Sequence, residues 1–484
     1  MSNLVSIVIT LSALANPLPG YESDGAELHG YIQQALAQNP AIEAKHQAWL
    51  AALQRIPQAR GLDDPMFSLG SYLYSTSLRT KVGLSQKFPW YGTRSERAAR
   101  AASLADAAEA QLNDQRNEVV TAVKAAYFDY AFLQAEELVT QSQLDILAYI
   151  GEVIRGRYAL GMGEKSAVLQ IEIEEEQLQD RLRRLAEERP VIAAELNALL
   201  GVPTGEERPW PEASLIPIAP PAPPLVMAWV HKNNPRLQAL EAMETSQEHA
   251  EILAQKKGRP DITVGLDYVS VSQPRKIRPD RPFPASLQGG RRLLQTAAGN
   301  IPFDPITSAI DGYAVANSRE PISRRGDGED NLMVSVSVNV PIYRKKILAG
   351  VEEARLEGAR YASERQDLAL QLEREARRYL FQISDAKRQR VLLETSLVPR
   401  AKDRYESLQS AYASGLAQGT FIDVLDSIRT LLSFELQHIQ ALRDWQRASA
   451  QLEYVMGGPW AGEAFEEEAV APAEPEVVEA DVAE

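Results

Sequence analysis

NLMVSVSVNVP, the stretch Asn331–Pro341, decides the fold. Successive side chains of a strand point to opposite faces. Leu332, Val334, Val336, Val338 and Val340 therefore fall on one side, and Met333, Ser335, Ser337 and Asn339 on the other. One face is uniformly aliphatic and the other small and mostly polar. Directly after Pro341 the period changes from two to about 3.6, and an Ala/Leu/Arg/Glu-rich helical pattern runs for roughly 70 residues to Tyr412. A short strand feeds a very long helix.

The same succession occurs earlier in the chain. Phe67, Leu69 and Leu73 alternate with Ser68, Gly70, Tyr72 and Tyr74. Thr80, Val82, Leu84, Gln86 and Phe88 then alternate with Lys81, Gly83, Ser85 and Lys87, which predicts a hairpin over 66–88. From Arg94 a helical pattern continues to Tyr158, a rod of roughly 97 Å at ~1.5 Å per residue. Gly161-Met162-Gly163 ends it, and a returning helix runs to about Leu200, bent or broken at Pro190.

Landmarks repeat in order between the two halves. Asn39-Pro40 and Asn234-Pro235, Pro65 and Pro260, and Gly70 and Gly265 are each offset by 195 residues. Pro89 and Pro341, Tyr91 and Tyr343, and Tyr127 and Tyr379 are offset by 252, so 57 residues are inserted in the second hairpin loop. Tyr158 answers Tyr412, and Gly201 answers Gly457. The expected organisation is a leader over 1–20 and a first repeat over 27–200, with one helix over 27–60, the hairpin and a long helix over 94–158. A proline-rich linker over 201–225 follows. The second repeat, 226–457, has strands over 261–271 and 331–341, an inserted loop over 272–330 and a long helix over 344–412, and an acidic disordered tail fills 458–484.

Composition narrows the class. Net charge is -15, of which the tail from Ala461 to Glu484 supplies nine carboxylates without a Lys or Arg. The chain has no cysteine, which excludes disulfides and thiolate metal sites. Leu4–Ala15 is a short apolar run ending Ala13-Leu14-Ala15, the small-residue pattern of an export signal, although no Lys or Arg precedes it. There is no stretch of ~18 apolar residues, so a membrane crossing would be made by strands. Four strands of about nine residues with one aliphatic face have the length and pattern of such strands, yet the smallest barrels need about eight. Other copies of the chain must supply the remainder. Phe88, Trp90, Tyr91 and, at the matching place, Tyr343 would lie where strands leave the hydrocarbon, or else cap an ordinary sheet.

This architecture resembles the TolC family of outer membrane efflux channels over residues 27–457. The likeness rests on the duplicated layout, the Asn-Pro ahead of each hairpin, the strand-to-helix turn Phe88-Pro89-Trp90-Tyr91-Gly92-Thr93-Arg94, and the tips Arg157-Tyr158-Ala159-Leu160-Gly161 and Tyr412-Ala413-Ser414-Gly415. It rests most specifically on Ile422-Asp423-Val424-Leu425-Asp426. The resemblance implies an α+β membrane protein. In it a homotrimer forms a twelve-stranded β-barrel in the outer membrane, continuous with a periplasmic α-helical barrel. It also implies a periplasmic adaptor and an inner-membrane pump of the resistance-nodulation-division or ABC type as partners, contact with outer membrane lipids, no nucleic acid, no cofactor and no enzymatic activity. The Phe88–Arg94 turn looks most like channels serving heavy-metal efflux, but His29, His46, His231, His249 and His438 are dispersed and show no metal-ligand spacing.

Asp423 and Asp426 are spaced i, i+3 and share a helix face. The bland reading is a solvated acidic helix start, where the dipole favours Asp. Carried over from the family, three copies would place six carboxylates in a pore constriction that favours cations and raises some of their pKa values. Glu164-Lys165-Ser166-Ala167-Val168, the first-half counterpart, has no paired acids. Arg157, Tyr158, Gly161, Tyr412 and Gly415 are the expected adaptor-docking tips, with ordinary helix caps as the competing explanation for the glycines. A peripheral coiled-coil scaffold or periplasmic adaptor is the alternative reading. It accounts for the rods but not for four lipid-length strands. An enzyme finds no support: Gly161-Met162-Gly163 follows a helix instead of a strand, and no nucleophile arrangement stands out.

Overall fold

The computed structural model describes residues 26–71, 78–161, 163–211, 219–271, 330–413 and 420–460. The leader, the inserted loop up to 329, Gly415 and the tail from 461 lie outside the described residues. The fold is dominated by helices, with one small antiparallel sheet. In order the elements are α1 (Ala26–Gln38), α2 (Pro40–Arg60), β1 (Met66–Ser71), β2 (Leu78–Phe88), α3 (Thr93–Ala159), α4 (Lys165–Leu199), α5 (Pro223–Asn233) and α6 (Pro235–Lys256). They continue with β3 (Ile262–Val271), β4 (Asn331–Val338), α7 (Arg344–Leu392), a π-helical turn (Leu393–Leu397), α8 (Val398–Ala413) and α9 (Phe421–Met456). Among the described residues no helix is long and apolar enough to cross a membrane.

The chain divides into two compact units, one drawn from Met1–Gln54, Ala102–Thr245 and Glu357–Glu484, the other from Arg55–Ala101 and Ser246–Leu356. The first unit holds the cores. Leu28, Ile32, Leu112, Val123, Tyr127, Leu196 and Leu200 form one, where α1 meets α3 and α4. Val226, Val230, Leu372, Ile383, Trp445 and Leu452 form another, where α5 meets α7 and α9. The second unit holds the sheet, in the order β1-β2-β3-β4, with every neighbouring pair antiparallel.

The single helix expected over 27–60 is two helices. Pro40 cannot continue α1, and Asn39 fills the break. Its Oδ1 accepts from the Ala41 and Ile42 backbone N–H groups at 2.9 and 3.4 Å. Its Nδ2 donates to the Leu199 carbonyl at the end of α4, at 2.8 Å. Asn234 makes the same break between α5 and α6: Oδ1 accepts from Arg236 N at 3.0 Å, and Nδ2 donates to the Val455 carbonyl at 2.8 Å. The return helices end on glycines in the left-handed region, Gly201 at φ 72° and Gly457 at φ 85°. A Cβ at Gly201 would overlap the Gln38 carbonyl, and one at Gly457 the Asn233 carbonyl, each just ahead of the asparagine. Both conformation and space therefore demand glycine. Gly457→Ala should lower unfolding stability by at least ~1–2 kcal/mol, the left-handed penalty alone. Gly205→Ala, where a Cβ meets nothing within 4 Å, should leave it unchanged. Chemical denaturation of the detergent-solubilised protein measures both.

Other expected bounds shift for local reasons. The second repeat begins its first helix at Pro223 instead of 226, because proline's fixed φ suits the first helical position. Pro190 lies inside an unbroken α4. The strand expected over 331–341 pairs only to Val338, and the one expected from 261 starts at Ile262. The long helix expected over 344–412 contains the π turn at Leu393–Leu397. There the Val398 N–H donates to the Leu393 carbonyl, one residue further back than in an α-helix, immediately before Pro399.

Candidate functional site

The sheet has two chemically distinct faces, fixed by its register. Phe67, Leu84, Leu266 and Val334 lie in one cross-strand row, and Leu69, Val82, Tyr268 and Leu332 in the next. Val264 and Val336 pair, as do Ile262 and Val338. This face is bare: Val334 is 68% and Val336 64% exposed. An apolar surface of this extent needs a cover. Edge strands β1 and β4 each leave one side unpaired among the described residues, an open row of backbone donors and acceptors.

The opposite face is polar. Lys81 Nζ lies 3.0 Å from Asp267, and Ser335 Oγ donates to the same carboxylate at 3.5 Å. Asp267 is buried because its neighbour in register is Gly83, where a Cβ would collide with the carboxylate. Lys87 pairs with Asp261 at 2.9 Å, and Asp261 also accepts from Trp90 N at 3.1 Å. That bond ties the start of β3 to the turn after β2. The sequence-level reading missed both ion pairs. A lysine alternating with small residues signals a wet face, but its partner is set by register between distant strands. At the same end of the strands, Phe88 and Trp90 are exposed, while Tyr91 and Tyr343 are 93% and 75% exposed.

In the other unit, the ends of α3, α4, α8 and α9 form a tip around Leu147, Ile150, Ile154, Ile171, Val424, Leu425 and Ile428. Two of the expected docking residues meet here. The Arg157 guanidinium lies 4.7 Å from the centroid of the Tyr412 ring and donates to the Tyr412 carbonyl at 3.4 Å. Tyr158 is exposed, and Gly161 has φ 74°.

Asp423 is the N3 residue of a capping box. Its Oδ2 accepts from Thr420 N at 3.0 Å and from Thr420 Oγ1 at 2.5 Å, while its own N–H donates back to Thr420 Oγ1 at 3.3 Å. These bonds, the side-chain one foremost, hold the Asp423 carboxyl below the usual aspartate range. In the single chain this opposes the upward push expected from three clustered copies. Asp426 pairs with Arg404 at 3.2 Å, with both side chains half exposed. Glu164 makes no side-chain cap on α4; its carboxylate accepts from Ser166 Oγ at 3.0 Å.

A polar seam joins α3 to α9 above the tip. Tyr454 donates to Asp114 at 3.1 Å, Asn117 to the Gly457 carbonyl at 3.0 Å, Arg447 to Asp129 at 3.2 Å, and Gln143 to Glu435 at 3.0 Å; Lys124 pairs with Glu453. Burial pushes the Asp114 and Asp129 carboxyls up, and burial plus the Asp114 charge pushes Tyr454 up to about 12. Among the described residues no group of three or more His, Asp or Glu is placed to hold a metal ion.

The outer membrane efflux protein family model matches residues 31–202. Over those residues the chain is similar to that family. Solved structures extend the likeness of fold over nearly the whole chain. The outer membrane protein VceC of Vibrio cholerae is 16% identical, with a TM-score of 0.67 over 90% of this chain and 97% of its own. The outer-membrane channel OprN is 15% identical, with 0.68 over 93% and 96%. The open-state MtrE outer membrane channel of Neisseria gonorrhoeae is 15% identical, with 0.66 over 89% of both chains. No curated protein matches by sequence.

Proposed function

We propose that the protein is the exit duct of a tripartite efflux or type I secretion system. Three copies each contribute β1–β4 to a twelve-stranded barrel in the outer membrane, and their helices form a tunnel across the periplasm. A periplasmic adaptor grips the tips at Arg157, Tyr158, Gly161, Tyr412 and Gly415. An inner-membrane pump of the resistance-nodulation-division or ABC type supplies the energy, and substrate passes through without chemical change. Asp423 and Asp426 ring the closed entrance.

One observation carries this reading. A four-stranded sheet with a bare aliphatic face, a polar face and two open edges is incomplete alone, and it is completed by lipid on one side and by copies of itself at the edges. A peripheral scaffold has no use for that aliphatic face. Purification in detergent with mass measurement and planar-bilayer recording tests the proposal. A trimer that conducts is expected; a monomer without conductance, or a chain released from membranes by carbonate, would overturn it.

A further inference from the structure

The aliphatic row of β4 continues past the paired strand. Val340 and Ile342 extend it on alternate positions, at 68% and 69% exposed, and the next position is Arg344, followed by Lys345 and Lys346. All three cations are exposed, and among the described residues no carboxylate pairs with any of them. With Ile342 and Tyr343 they line an open groove of about 580 Å³. The helix they begin does not call for them, since cations in a first turn face the positive end of the helix dipole. The start of α3 shows the opposite arrangement. Glu96 stands in its first turn and pairs with His249 at 3.0 Å and Lys256 at 3.3 Å, so those cations are answered within the unit.

We propose that Ile342–Lys346 is a docking site for the headgroup of an anionic glycerophospholipid. The phosphate is met by Arg344, Lys345 and Lys346, the acyl chains lie along Val340 and Ile342, and the Tyr343 ring sits at headgroup level. Two features select this occupant over a protein or a free ion: the cations are unanswered among the described residues, and they stand at the end of a continuous apolar row. A free phosphate would use the cations but not the row. The inference rests on the reading of the sheet as membrane-embedded, and its test separates the two.

The test uses the full chain in a neutral detergent, with fluorescent phosphatidylglycerol and phosphatidylcholine as probes. The parent should bind phosphatidylglycerol about tenfold more tightly than phosphatidylcholine, and the R344Q/K345Q/K346Q variant should prefer it by less than about twofold. Inorganic phosphate should not displace the lipid. If the triple variant fails to fold, the three single glutamine variants carry the test, each expected to remove part of the preference. An undiminished preference, displacement by phosphate, or a variant that loses oligomer mass while keeping the lipid preference would overturn the inference; the last would put a second copy in the groove. A parent that inserts into phosphatidylcholine vesicles yet shows no preference overturns the lipid site alone. A parent that inserts into neither kind of vesicle overturns the membrane reading beneath it.

Discussion

Val336→Arg is expected to prevent assembly, whereas Ser337→Arg should assemble and conduct. The two residues are neighbours on β4, so position and helix connections are shared and only the face differs. Val336 stands on the aliphatic face opposite Val264, near the middle of the apolar row. An arginine facing lipid at mid-depth costs ~2–4 kcal/mol per chain. Multiplied over three chains this is about 6–12 kcal/mol, comparable with the ~5–15 kcal/mol by which folded proteins exceed unfolding. Ser337 pairs with Thr263 on the polar face, and Thr263 with Lys87. A second cation there costs at most ~1 kcal/mol as a cross-strand like-charge pair in contact with water. Oligomer mass and protease resistance in detergent distinguish the outcomes, and equal tolerance at both positions would mean that the aliphatic face meets something other than lipid.

The second large effect is expected at the tip. Asp423→Asn with Asp426→Asn should raise single-channel conductance at least about twofold and weaken the preference for cations, because in the proposed trimer six carboxylates in a narrow ring would dominate the field. The substitutions keep side-chain size, and the amide oxygen introduced at position 423 still accepts from Thr420 N, so weakening of the cap costs no more than about 1 kcal/mol. Glu164→Gln, on the unpaired first-half counterpart, should change neither reading. Unchanged conductance and selectivity in the double variant would remove these aspartates from the entrance and leave Asp423 a helix cap and Asp426 a partner for Arg404.

What the sequence discloses depends on the range of the interaction. The faces of the sheet were legible because alternation is local: Leu332 to Val340 states its inside and outside without reference to any other strand. The asparagines were visible as landmarks but not as what they do. Asn39 and Asn234 each pin a helix start to a helix end more than 150 positions away, at Leu199 and Val455, and no local pattern announces such a bond. The Lys81–Asp267 pair was hidden for the same reason. Asp423 is the reverse case. Thr420 and Asp423 form a capping box in four consecutive residues, so a local role was readable beside the pore role, and the structure shows that local role directly.

The π turn at Leu393–Leu397 has a consequence for how a duplicated chain tolerates change. Between Tyr127/Tyr379 and Tyr158/Tyr412 the offset of the two halves grows from 252 to 254, so the second half has gained residues within its long helical stretch. An added residue in an uninterrupted α-helix turns everything beyond it by about 100°. A wider turn takes up one of the two added residues and leaves the other to turn the stretch beyond it. Tyr412 nevertheless meets Arg157 at the tip, so the apparent irregularity removes part of the rotation that the longer second half would otherwise bring there.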